Sequence, residues 1–128
     1  MNGDHSDAPH LPQLAPIDAY GKGGFVFAGM SHRGSLLCLP AGIWAWPVAA
    51  PAEIDETKLA PVFAAAPRIE LFILGTGRDP WLVPPALRAR FRELDITVEA
   101  MTTGPAVRTY NIVLGEQRRV GAGLIAVD

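Results

Sequence analysis

The apolar residues of this chain change their spacing near residue 50, and two kinds of secondary structure follow from the two spacings. Before that point, Ile17–Tyr20 alternates, Phe25–Ala28 is aromatic and β-branched, and Ser35–Leu39 and Ile43–Trp46 are short apolar runs. Gly21-Lys22-Gly23-Gly24, Ser31-His32-Arg33-Gly34 and Pro40-Ala41-Gly42 lie between them. Short runs bounded by turn residues predict strands, and Gly supplies the positive φ that a tight turn needs. The front half therefore predicts an antiparallel meander, with a turn over Ser31–Gly34 and Pro47 ending the last strand.

After residue 50 the period is helical. Leu59, Val62, Phe63 and Ala66 fall at i, i+3, i+4 and i+7 within 53–66, with Pro61 predicting a helix that starts or kinks there. Ile69–Leu74 is an apolar run expected of a strand covered on both faces. Pro84-Pro85 opens a second helical face of Leu87, Phe91 and Leu94, with Arg88 and Arg92 on its other side. Ile96–Ala100 reads as a strand. Val107, Tyr110 and Leu114 mark a third helix over 106–117, and Gly121–Val127 a last strand. Thr102-Thr103-Gly104-Pro105 supplies that helix with a start and a hydroxyl cap. Helix and strand in alternation predict an α/β sheet with right-handed crossovers. One domain is expected over residues 14–128, behind a loose, polar, proline-punctuated tail over residues 1–13.

The formal net charge is −2, whereas a nucleic-acid binder carries a basic patch, so no nucleic-acid partner is expected. No apolar run approaches the ~20 residues that span a bilayer. The first ten residues lack both the basic and the apolar regions of a secretory signal. Cys38 is the lone cysteine; it lies in an apolar run, predicts an inert buried thiol and suits a reducing, cytoplasmic setting. His5, His10 and His32 have no metal-ligand spacing, so neither metal nor cofactor is expected. Nothing makes Ser31-His32 a catalytic unit.

Two segments carry candidate chemistry. Gly75-Thr76-Gly77-Arg78 follows the buried strand, where open α/β sheets place their sites. It is not followed by Gly-Lys-Ser/Thr, and its third glycine position is Pro80, so it matches neither a P-loop nor a dinucleotide fingerprint. It reads either as a tight strand-to-helix connection or as a cradle of backbone N–H groups for an anion. Arg108 and Asn111 lie early in the third helix, where unpaired N–H groups favour an anion. Glu99 ends the preceding strand and reads as a base or, more commonly, as a salt-bridge partner of Arg108. Trp44 and Trp46 share one sheet face, as core or as a contact patch.

Taken in order, Phe72-Ile73-Leu74-Gly75-Thr76-Gly77, Glu99-Ala100-Met101-Thr102-Thr103, Arg108-Thr109-Tyr110-Asn111 and Glu116-Gln117-Arg118-Arg119-Val120-Gly121-Ala122 closely resemble a known domain. It is the Mth-type domain of unknown function (DUF498) shared by mitochondrial complex I assembly factor three and the adipogenesis-associated Mth-domain protein. The resemblance is strong from Ile69 to Val127 and loose before that. It implies a three-layer Mth-like fold: a mixed central sheet, helices on one side and a small β layer on the other. It implies no catalytic mechanism. The expectation is a non-catalytic binding or assembly protein with a protein partner. Gly75, Thr76, Gly77, Arg78, Glu99, Arg108 and Asn111 would form or border the contact. The alternatives are a site for an anionic small molecule, as binder or enzyme, in the same cleft, and self-association through the tryptophan face.

Overall fold

The computed structural model describes residues 8–128. The front half forms five strands: β1 (Ile17–Gly21), β2 (Gly24–Phe27), β3 (Met30–Arg33), β4 (Ser35–Leu39) and β5 (Gly42–Trp46). The expected turn over Ser31–Gly34 is mostly strand β3 instead. The reversal before it falls on Ala28 and Gly29, with φ of 50° and 74°. Lys22 and Gly23, at 54° and 81°, make the turn from β1 to β2. Two successive positive-φ residues match the right-handed twist of a hairpin, which explains both tight reversals.

The back half gives α1 (Glu56–Ala64), β6 (Leu71–Gly75), α2 (Pro85–Glu93), β7 (Thr97–Met101), α3 (Thr103–Gly115) and β8 (Val120–Leu124). Helix α1 neither starts nor breaks at Pro61. Asp55 caps it by accepting the Lys58 N–H at 2.9 Å, and burial of Leu59, Val62 and Phe63 carries it through the proline. Pro61 withholds only the N–H that the Thr57 carbonyl would have taken.

β1-β2-β3 form a small antiparallel sheet, and the other five strands form a mixed sheet in the order β5-β4-β8-β6-β7. β8 pairs antiparallel with β4 and parallel with β6, and β6 pairs parallel with β7. Alternation along the strands gives the large sheet two apolar faces. Leu37, Leu39, Phe72 and Leu74 face α1 and α2; Leu36, Cys38, Leu71 and Ile73 face α3 and the small sheet. On the first face Phe91 of α2 stacks on Phe72 at 5.6 Å and meets Phe63 of α1 edge-on at 5.0 Å. The small β layer stands opposite α1 and α2, and α3 lies on its side of the sheet. The crossovers require this. β6 to β7 steps outward through α2, and β7 to β8 steps back past β6 through α3. Two right-handed crossovers in opposite directions put their helices on opposite faces.

Residues 1–7 of the expected tail lie outside the described residues. Of the remainder, His10 donates its N–H to the Ile43 carbonyl at 2.8 Å, and Ile43 donates to Leu11 at 2.9 Å. These bonds cover part of the outer edge of β5, so the described end of the tail is held against the sheet.

Candidate functional site

The parallel strands β6 and β8 end beside each other, and the Gly75–Arg78 loop and the start of α3 meet there. The contact is built on Thr103, which is fully buried. Its hydroxyl donates to the Ile125 carbonyl at 2.7 Å and accepts the Gly77 N–H at 2.9 Å. Its own N–H donates to the Gly77 carbonyl at 3.0 Å. The Thr76 N–H donates to Met101 at 2.8 Å, and the Thr76 hydroxyl to the Asp79 carbonyl at 2.7 Å. The loop therefore keeps neither the Thr76 nor the Gly77 N–H for an anion. Thr102 is the N-cap of α3, yet no side-chain hydroxyl caps the helix. The Thr103 hydroxyl is engaged in holding the loop.

Two shallow depressions flank this contact. One is lined by Tyr20, Gly77, Arg78, Thr102, Gly104 and Pro105. Here the Tyr20 phenol packs so closely on Gly104 that a Cβ there would stand 2.5 Å from its oxygen. The other, of about 470 Å³, lies between Pro51, Ala52 and the loop from Thr76 to Trp81. Arg78 lines both; it is exposed and makes no ion pair among the described residues.

The other three candidates lie apart from these depressions. Glu99 is exposed in the middle of β7, not at its end, on the outer edge of the large sheet. Arg108 is exposed one turn into α3, and no ion pair joins it to Glu99. Asn111 grips the backbone of β1: its Oδ1 accepts the Ile17 N–H and its Nδ2 donates to the Ile17 carbonyl, both at 2.9 Å. Next to it, the Tyr110 hydroxyl donates to Ala15 at 2.8 Å. Arg-Thr-Tyr-Asn is thus in large part a clasp between α3 and the start of the small sheet. Asn111→Ala is expected to cost about 1–3 kcal/mol, because it leaves both Ile17 groups unpaired beside the core. Chemical denaturation measures this, and Asn111→Asp, which keeps an acceptor only, should cost a comparable amount.

Burial pushes the Cys38 thiol up to about 12, which makes it unreactive. His32 lies 4.8 Å from His10, ring centre to ring centre. Burial chiefly, and then the neighbouring His10, hold its pKa below the usual histidine value. Neither group lines the depressions. Among the described residues no group of three or more His, Cys, Asp or Glu is placed to hold a metal ion, and no helix is long and apolar enough to cross a membrane. Tyr20 and Thr103 join this locus without a motif that marks them, whereas Trp81 directly follows the glycine loop in sequence as a cleft wall or core cover. The hydroxyl beside a glycine loop at a helix start was the available signal for Thr103.

A five-stranded mixed sheet, layered between two helices and a three-stranded sheet with a third helix, defines an Mth938-like α/β domain. The chain belongs to the family described as protein of unknown function (DUF498/DUF598), whose model matches residues 17–125. It is 38% identical over 121 residues to an uncharacterised Rhodobacter capsulatus protein, covering 92% of each. It is 37% identical over 115 residues to NADH dehydrogenase (ubiquinone) 1 alpha subcomplex assembly factor 3 of Bos taurus, covering 89% of this chain and 62% of that protein. The chain thus spans about three fifths of the assembly factor's length. Among solved structures, a Bartonella henselae protein described as an outer membrane protein superimposes with a TM-score of 0.89 at 44% identity, covering 93% of this chain and all of that one. A Rhodopseudomonas palustris protein does so at 0.83 and 54%, covering 98% and 93%. A Bordetella pertussis Mth938-like domain gives 0.77 at 28%, covering 88% and 85%.

Proposed function

We propose that this chain is a binding protein of the assembly type, with no catalysis of its own, that holds a protein partner on the loops at the carboxyl ends of β6 and β8. The observation that carries this reading is how the polar groups of that region are used. The Gly77 N–H binds Thr103 and the Thr76 N–H binds Met101, and Asn111 and Tyr110 bind the backbone of residues 15–17. What remains at the surface is the Arg78 guanidinium, the exposed Asp79 and Asp128, the half-buried Trp81 and Leu82, which is 81% exposed. An arginine and apolar anchors suit recognition of a partner better than a reaction. Similarity to the assembly factors over most of the chain supports a partner among subunits of a respiratory NADH dehydrogenase. A reducing cytoplasm suits the free thiol of Cys38.

The test is affinity purification of the tagged chain from its own cells, beside Arg78→Glu and Leu82→Asp. Both sites are exposed, so both variants should fold. The expected result is co-purification of NADH dehydrogenase subunits with the parent chain and at least a tenfold loss with each variant. Absence of those subunits from the parent sample, or their full retention by both variants, overturns the reading.

A further inference from the structure

A separate apolar concavity lies on the face of the large sheet that α1 only partly covers. Its floor and walls are Leu37, Leu39, Trp44, Trp46, Pro47 and Pro61, around about 440 Å³. That volume falls in the range of small-molecule pockets, which are mostly apolar with a few placed polar groups. The polar groups here are at the α1 rim: Thr57 and Lys58. The indole N–H of Trp46 is already donated to the Lys58 carbonyl at 3.0 Å, which fixes that ring as a wall.

The rim holds one charge and nothing to neutralise it. No carboxylate lines the groove. Asp55 caps α1 through the Lys58 N–H, Glu56 is tied to Arg90 at 3.0 Å, and the Lys58 ammonium makes no ion pair among the described residues. We propose that this groove binds a small amphiphilic monocarboxylate, its apolar body between Trp44, Trp46 and Pro61 and its carboxylate on the Lys58 ammonium. Thr57 lies next to Lys58 on the same rim. The alternative use of Lys58 is as a cover, its methylenes lying over apolar surface. A mere cover would give no preference for an acid over an alcohol of the same length. The site is separate from the partner surface around Gly77 and Arg78, so each reading stands or fails alone.

The three tryptophans, Trp44, Trp46 and Trp81, give three indole N–H signals by NMR, two inside the groove and one outside. Octanoate and 4-phenylbutyrate are the probes, with hexanoate and octan-1-ol for comparison. Saturable shifts of the Trp44 and Trp46 signals are expected with at least one probe, and Trp81 should stay in place. Octanoate should bind about tenfold tighter than hexanoate, as two buried methylenes require, and at least tenfold tighter than octan-1-ol. Lys58→Met should abolish the preference for the acid, and Lys58→Arg should keep it; the Trp46 signal reports that each variant is folded. No saturable shift with either probe, a shift centred on Trp81, or equal binding of octanoate and octan-1-ol overturns the proposal.

Discussion

Gly123→Ala will destabilise the protein by about 3 kcal/mol, and Gly123→Val will prevent folding. Gly123 lies in β8, the central strand of the large sheet, on the face covered by α1 and α2. A Cβ added there would stand 2.7 Å from two ring atoms of Trp46 and 3.0 Å from the ring of Phe72. Both rings are tied in place. Trp46 is held by its bond to Lys58, and Phe72 is stacked against Phe91. Forcing atoms into a packed core typically costs about 1–3 kcal/mol, and two rings that must both shift put this site at the top of that range. Denaturant unfolding measures the cost. A loss below about 1 kcal/mol would show that the rings yield more readily than their contacts imply. Alanine at Gly115, which has nothing within 4 Å of its Cβ position, is the matched control.

The second large effect belongs to Thr103→Val. Valine has nearly the same shape, so the core is kept while the hydroxyl is lost. The Gly77 N–H and the Ile125 carbonyl then remain buried without partners, at about 1–3 kcal/mol for each group. The expected total is about 2–6 kcal/mol, and Thr103→Ser should recover most of it. The damage should also be local: hydrogen exchange at Gly77 should accelerate more than the loss of global stability accounts for. Serine no better than valine would mean that the methyl group, not the hydroxyl, holds this corner.

Much of the fold was legible because its cause is local. The nearly unbroken apolar run of Ile69–Leu74 and the spacing of Leu87 with Phe91 each report a burial pattern that the sheet and helices realise, whereas of the alternating Ile17–Tyr20 only Ile17 is buried. The misreadings share a different cause. Ser31–Gly34 contains turn residues, but its conformation is set by pairing with β2, where His32 lies opposite Phe25. Pro61 lacks an N–H, but the packing of its neighbours outweighs one missing bond. The side of the sheet on which α3 lies follows from strand order, which no residue spacing reports. At the loop, Gly-Thr-Gly was recognisable as a tight turn or an anion cradle. The choice depends on Thr103, 26 positions on from Gly77. Asn111 was ambiguous for the same reason, because the strand it grips lies 94 residues earlier.

β8 is made after every other described strand, yet it occupies the middle of the large sheet. Until residues 120–124 have left the ribosome, β4-β5 and β6-β7 are two separate half-sheets. Each has an inner edge of unpaired N–H and C=O groups, a template for mispairing with any other nascent chain. The small, glycine-rich Val-Gly-Ala-Gly-Leu segment is the strand that joins the two halves. The large sheet of this domain can therefore close only once residues 120–124 are in place, and its two halves owe their union to one five-residue strand.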